Sequence, residues 1–302
     1  MRKLSSFRKS FLSLTLVLAI LLTAAAPALG AETVSDAASA IQLMKTEGSV
    51  SITNGSGRAL SVRENMRLYN GYHAKTTEKS YAWVNLDSSK LIKLDEVSEA
   101  EVRKAGKKLE VLLNSGNLYF DVSEPLDQEE NLNIRTSTMI VGIRGTGGWV
   151  KMLNAWHAQV YLLEGRVECS VTDPATGESR TTVLQGGEMA EFVVYPQGQT
   201  GERCDIIRQS YAEEHIDGFV LVELVKDRTL CEKIHADSSL DVLGHFDQSS
   251  AQKQLERDQA AMAETLREME QALSTQDNRV SQDPVWGSGS KDSGGSRDDS
   301  SD

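Results

Sequence analysis

The chain has 302 residues, of which 25% are charged and 39% hydrophobic, and its formal net charge is −12 at neutral pH. That length suits one large domain or two modest ones. A carboxylate surplus of this size argues against nucleic acid or an anionic lipid surface as partner, because neither is attracted by a strongly negative body.

The first thirty residues read as an export signal. Arg2, Lys3, Arg8 and Lys9 form a basic start, Phe11 to Leu22 is apolar apart from Ser13 and Thr15, and small residues follow from Ala24 to Ala31. Ala26-Pro27-Ala28 and Ala28-Leu29-Gly30 place small side chains where a signal peptidase needs them, so residues 1–31 are expected to be a signal peptide cut between Ala28 and Ala31. The alternative is an uncleaved N-terminal anchor, since the apolar run approaches the roughly 17 to 25 residues that span a bilayer. Cleavage removes four positive charges and no carboxylate, moving the net charge from −12 to −16. The first cysteine is Cys169, so a lipid anchor at the cleavage point is not expected. The predicted destination is exported, secreted or at the cell surface.

Residues 40–195 carry the strand period of two. Ala82, Val84 and Leu86 alternate with Tyr81, Trp83 and Asn85, and the same alternation places Leu109, Val111 and Leu113 on one face and Ala158, Val160 and Leu162 on another. Turn formers separate the runs, among them Asn70-Gly71, Asp87-Ser88-Ser89, Asn114-Ser115-Gly116, Asp173-Pro174 and Gly186-Gly187. A glycine followed by apolar residues at the second and fourth places recurs at Gly48, Gly116 and Gly165, which predicts a left-handed or sharply turned backbone as each strand begins. The spacings of this pattern are too unequal for a solenoid of fixed period.

After Tyr195 and Pro196 the character changes. Ile216, Val220, Leu221 and Leu224 recur at helical spacing, as does a shorter stretch from Leu230 to Ala236, so residues 202–246 are expected to form a helical cap segment. Ser249-x-x-Gln252 fits a capping box, and Leu255, Met262, Leu266, Met269 and Leu273 follow a three-and-four alternation that predicts an amphipathic helix over 249–274. That stripe serves either as a surface helix's packing face or as a seam for self-association. Residues 275–302, rich in Ser, Gly and Asp, are expected to be a disordered tail.

Cys169, Cys204 and Cys231 sit in a chain bound for a compartment where disulfides persist, and an odd count leaves at least one thiol unpaired within the chain. Cys204 and Cys231 are the candidate pair, while Cys169 reads as a small buried hydrophobe. Cys231 and His235 stand one helical turn apart without a second tight ligand pair, so no metal site is expected. His73 and His157 stand beside Tyr72 and Trp156 as surface residues. Asp95, Glu96, Glu99 and Glu101 are plentiful carboxylates with no cleft assigned to them. Serine nucleophile elbows, phosphate loops and paired-histidine motifs are absent, so neither catalytic residues nor cofactors are predicted.

The stretch Thr136 to Ile143, then Arg144-Gly145-Thr146, then Val150, Val160 and Glu164-Gly165-Arg166-Val167, resembles the signature region of the FecR domain. Glu47-Gly48-Ser49-Val50, Leu68 to Gly71, Ala82 to Asp87 and Leu112 to Phe120 follow the same family order, so the resemblance covers about residues 40–195. Asp87-Ser88-Ser89 replaces the family's Asp-Gly-Ser hairpin, and Gly147-Gly148-Trp149 its single aromatic; both changes fall at turns. The resemblance implies a mainly β fold, a compact FecR-like β sandwich or an irregular β-helix-like roll, followed by a small helical segment and the C-terminal amphipathic helix. It assigns Arg144, Gly145, Thr146 and Gly165 a structural role as family signature. Arg144 is the polar one, placed to tie backbone carbonyls or a carboxylate.

Familiar members are membrane-spanning regulators whose cytoplasmic domain acts on a sigma factor. Only ten residues precede Phe11 here, so direct sigma-factor contact is not expected. The predicted function is a non-enzymatic, exported interaction, sensing or scaffold module of the bacterial envelope, with an envelope or secreted protein as partner. The alternatives are a cell-wall or glycan-binding structural protein, presenting Tyr81 and Trp83 as stacking rings, and an unrecognised hydrolase.

Overall fold

The structure, a computed structural model, describes residues 40–195 and 203–280. The expected signal peptide and the tail beyond 280 lie outside the described residues. Seventeen strands among the described residues build two sheets that share one long strand. The first sheet runs, in spatial order, β4 (Met66–Arg67), β1 (Gln42–Glu47), β6 (Tyr81–Asn85), β7 (Lys90–Leu94), the second half of β9 (Lys108–Val122), β12 (Gly147–Asn154), β13 (His157–Glu164), β16 (Glu188–Val194) and β17 (Cys204–Ser210). The second runs β3 (Ala59–Leu60), β2 (Val50–Thr53), β5 (Tyr72–Thr76), β8 (Glu99–Ala105), the first half of β9, β10 (Asn131–Arg135), β11 (Met139–Ile143), β14 (Arg166–Thr172) and β15 (Ser179–Gln185).

All pairings are antiparallel except β9 with β10. The chain lays down a strand or a hairpin in one sheet, crosses to the other and returns, so both sheets grow in the same direction along the sequence. The sandwich and the roll expected from the sequence are therefore one object: two facing sheets wound by a chain that advances as it crosses.

β9 shows what a crossing demands. Leu109, Val111 and Leu113 face the core in its first half, whereas Leu118, Phe120 and Val122 do so in its second, so the inward phase flips between Leu113 and Leu118. A register shift between Glu99 and Ala100 of the neighbouring strand and a left-handed Gly116, at φ 78°, absorb that change. A Cβ at Gly116 would stand 2.2 Å from the Ser98 hydroxyl. Gly48 and Gly165, the other members of the recurrent pattern, also have positive φ and sit where the chain leaves the first sheet for the second.

Between the sheets lies an aliphatic core in which Leu43, Ile52, Val84, Ile92, Val111, Leu118, Phe120, Ile134, Val141, Val160 and Phe192 are almost wholly buried. Each such side chain contributes about 1.5–3 kcal/mol relative to exposure. The first sheet has a second buried face. Tyr81, Trp83, Tyr119, Trp149, Tyr161 and Met189 point outward from it and are covered by a 3-10 turn (Glu213–His215) and by α1 (Gly218–Leu224), α2 (Arg228–Ser238), α3 (Val242–His245) and the start of α4 (Gln248–Val280). Hence the run Tyr81-Ala82-Trp83-Val84 is apolar at every position: its even residues fill the sandwich and its odd residues meet the helices.

Three boundaries differ from expectation. The segment assigned to a helical cap from residue 202 opens with β17, which extends the first sheet antiparallel to β16. Its sequence, CDIIRQS, is mostly exposed, as suits an edge strand, and so lacks the clean alternation that marks the others. α4 runs past 274 to Val280. Its start is capped by Asp247, whose carboxylate accepts from the Ser250 amide at 2.7 Å, in place of the Ser249–Gln252 box.

Gly116→Ala is expected to lower stability by about 2 kcal/mol or more, because it adds both left-handed strain and a collision with Ser98, whereas Gly57→Ala, with similar φ but open space around it, should cost about 1 kcal/mol. Urea unfolding of the two variants beside the parent measures the difference.

Candidate functional site

The covered face of the first sheet holds a buried polar layer. Lys93 is only 1% exposed; its ammonium donates to the Phe219 carbonyl and to Glu223 Oε1, each at 2.8 Å, and lies 4.9 Å and 4.8 Å from the rings of Tyr81 and Trp83. Burial pushes its pKa down, and the Glu223 carboxylate opposes that shift. Nearby, Asp217 accepts from Trp149 Nε1 at 3.0 Å and from Lys151 Nζ at 2.9 Å. Desolvation raises Asp217, with Lys151 acting against it. Gly218 has no side chain because α4 crosses there: a Cβ would lie 2.3 Å from the Leu255 nitrogen, and the Gly218 amide donates to Asp258 at 2.7 Å. Lys233 on α2 pairs with the buried Glu164 at 2.8 Å.

Beside Lys93 opens a cavity of about 530 Å³ bordered by Glu47, Tyr81, Trp83, Glu223 and Gln252. The two rings are 4% and 8% exposed, and Lys45 also sits 4.6 Å over Trp83. The aromatic pair considered for stacking a sugar is therefore almost wholly buried at the border of this cavity, with lysines of the same chain over the rings.

The carboxylates noted in the sequence do not converge. Asp95 and Glu96 are buried at the turn between β7 and β8. Glu99 and Glu101 project from the outer face of the second sheet, where Lys75 lies 3.2 Å from Glu99, His73 3.7 Å from Glu101, and Arg103 binds Glu101 at 2.6 Å. His157 pairs with Glu191, and His235 meets the Leu240 carbonyl at 3.3 Å. Among the described residues no group of three His, Cys, Asp or Glu is placed to hold a metal.

The signature residues meet at one corner. Gly145, at φ 111°, passes Pro125 so closely that a Cβ would lie 2.8 Å from its Cα. Thr146 is buried with its hydroxyl unpartnered, and its methyl stands 2.5 Å from where a Cβ on Gly165 would be. The crossing from β11 to β12 thus nests against the crossing from β13 to β14. The Gly165 amide then donates to Asp237 of α2 at 2.7 Å, tying the corner to the helices. Arg144 points away, exposed, its guanidinium 3.4 Å from the Glu130 carbonyl, into a groove of about 360 Å³ on the outer face of the second sheet. Arg166, which the sequence reading passed over, lines the same groove.

The candidate pair Cys204 and Cys231 is not bonded: all three thiols are free and buried. Cys204 packs in the sandwich core and Cys231 in the helical core, so the first sheet lies between them. Cys169 is a buried core residue, as its strand position suggested. The seam proposed for self-association is also shortened, because Leu255 is buried against the body; Met262 and Leu266 are half-buried, while Met269 and Leu273 are 57% and 64% exposed.

Two outcomes follow for the buried layer. Lys93→Met leaves the buried Phe219 carbonyl without its donor and Glu223 with only Lys226 at 3.3 Å, and is expected to cost about 3 kcal/mol, part of which Glu223→Gln in the same chain restores. A double-mutant cycle of chemical denaturation reads this. Burial raises the Asp95 carboxyl to about 7, with the Asn117 amide at 2.8 Å opposing the shift. Because the folded state holds that proton more tightly than the unfolded state, the Asp95 contribution is full below about pH 4 and is lost as pH rises to about 7. Asp95→Asn should therefore gain stability over the parent between pH 4 and pH 7, seen as a growing difference in unfolding midpoint.

Residues 72–168 match the family model described as FecR protein. No curated protein matches the chain. Among solved structures, two crystal structures, each of an anti-sigma factor candidate from Parabacteroides distasonis ATCC 8503, are similar. One is 16% identical over 46% of this chain and 59% of its own, with a TM-score of 0.37. The other is 16% identical over 54% of this chain and 73% of its own, with a TM-score of 0.39. The chain thus spans about three fifths of the first of these proteins. The segment similar to that family runs from β5 into β14 and contains Arg144, Gly145, Thr146 and Gly165, and the β body continues beyond it on both sides.

Proposed function

We propose that the protein is an exported module of the bacterial envelope that acts by contacting another protein, as an interaction, sensing or scaffold element, without chemistry of its own. The observation that carries this reading is the asymmetry of the two sheets. On the helix-covered side the buried Lys93 and Glu164 and the half-buried Lys151 are each held by a partner of the same chain, which is the arrangement of a structural layer. Among the described residues no helix lies over the outer face of the second sheet, from β5 across β8, β9, β10 and β11 to β14 and β15, and that face presents charged and polar side chains. A rigid, wet, charged sheet suits recognition by charge and shape.

The near-complete burial of Tyr81 and Trp83, with Lys45 and Lys93 over their rings, speaks against the glycan-binding alternative, and the scattered carboxylates against a hydrolase. The leader in residues 1–31 supports export, and the net charge of −12 speaks against nucleic acid as partner. Among the described residues no helix is long and apolar enough to cross a membrane.

Lysine-directed cross-linking of the full chain in whole cells, followed by mass spectrometry, tests the reading. A protein partner attached through Lys75 and Lys108, on the open face, is the expected result. Adducts confined to Lys226 and Lys233 on the helical side, or no partner above a mock control, would sink it. Sequencing the native N-terminus should give a start between Ala28 and Ala31, whereas an intact Met1 would point to a retained anchor.

A further inference from the structure

The groove holding Arg144 departs from the rest of its sheet. Elsewhere on that face arginines are matched to carboxylates: Arg103 lies 3.6 Å and Arg135 3.1 Å from Glu110. Arg144 and Arg166 have no such match among the described residues; Arg144 reaches only the Glu130 carbonyl, whose own carboxylate is engaged by Lys90 at 3.4 Å. The fold brings them together. β11 and β14 pair Gly142 with Glu168 and Ile143 with Val167, where the ladder ends; Arg144 follows Ile143 and Arg166 precedes Val167, so both lie at that end of the ladder and line one groove. Two like charges lining one groove are unfavourable unless something between them carries the opposite sign.

The floor of the groove is open because Gly142 has no side chain, and its flanks carry Asn131, Asn133, Glu168 and Ser170. Both arginines offer planar forks suited to carboxylates, and the amides of Asn131 and Asn133 offer further donors. The single carboxylate of the groove, Glu168, is exposed and forms no ion pair with either arginine.

We propose that this groove is a binding site for a short acidic segment of a partner protein, whose carboxylates Arg144 and Arg166 clamp. The inference rests on the reading of the second sheet as the contact face and names the chemistry recognised there. A polyanionic polymer would meet the net charge of −12 at long range and be repelled, whereas two carboxylates on an otherwise neutral segment meet only the local pair. Two acidic residues separated by one position in an extended peptide project from the same face about 7 Å apart. That spacing suits two long, flexible side chains whose guanidinium forks line one groove.

The test uses the full chain and a fluorescein-labelled peptide, Gly-Ser-Asp-Gly-Asp-Ser-Gly amide, followed by anisotropy at low ionic strength. Saturable binding is expected, weakened at least tenfold in R144Q and again in R166Q, less in R144K and R166K, and absent for the peptide with Asn in place of both Asp. Circular dichroism confirms that each variant is folded; should the Gln variants unfold, the Lys variants and the Asn peptide still decide the matter. Binding of the Asn peptide at equal strength, or Gln variants within twofold of the parent, would overturn the site. Displacement by inorganic phosphate at the peptide's own concentration would overturn the peptide assignment in favour of a free-anion site. Failure of peptide binding while cross-links at Lys75 and Lys108 persist would remove this site alone; loss of both would remove the contact-face reading with it.

Discussion

β9 belongs to two sheets, and the rest of this molecule depends on how it changes which of its side chains face the core halfway along. Side chains alternate strictly along an extended backbone, so the inward set here, Leu109, Val111 and Leu113 and then Leu118, Phe120 and Val122, needs a slip of one place. Gly116 supplies it, with a left-handed residue beside a bulge, and the same strand then zips the two sheets together at the centre of the roll. Most of the short crossings use a glycine. Lys79 and Val97 do so with side chains attached, at φ 51°, and Val97, being β-branched, is the costlier of these.

The crossings also decide where charge is buried. Because the chain turns inward at Asp95 and Glu96 and outward again at Glu99, carboxylates close in sequence end in different environments, one at the edge of the core and the other on a wet sheet face. The helical layer then closes over the first sheet, and its polar groups are drawn into matched pairs because an unpaired charge there would keep its full desolvation penalty. Lys93, held by a carbonyl, a carboxylate and two rings, is the clearest case.

What remains outward is the second sheet, and its charges divide into a matched part and an unmatched part. The matched part, around Glu99, Glu101 and Glu110, keeps a solvated edge-to-edge surface in register. The unmatched part, around Arg144 and Arg166, lies at the end of the groove where the signature corner begins. Gly145, Thr146 and Gly165 hold the backbone there by close approach, so the position of Arg144 is dictated by packing even though its side chain is free to meet something else.

Much of this was legible without coordinates. The two-residue period, the glycines ahead of strands and the helical spacing from Ile216 onward are local properties, each set by neighbours within a few positions, and they determined the class of fold, the family signature and the amphipathic helix. Only the tertiary structure decided which sheet each strand joins, since both sheets use the same alternation. Burial on both faces of the first sheet was visible as the unbroken apolar run from Tyr81 to Val84, yet what covered the outer face lay more than 130 residues away. Cys204 and Cys231 looked pairable because sequence distance says nothing of the sheet standing between them. Arg144 and Arg166 stand 22 positions apart, and they come to line one groove only because β11 pairs with β14, a long-range property that no local pattern encodes.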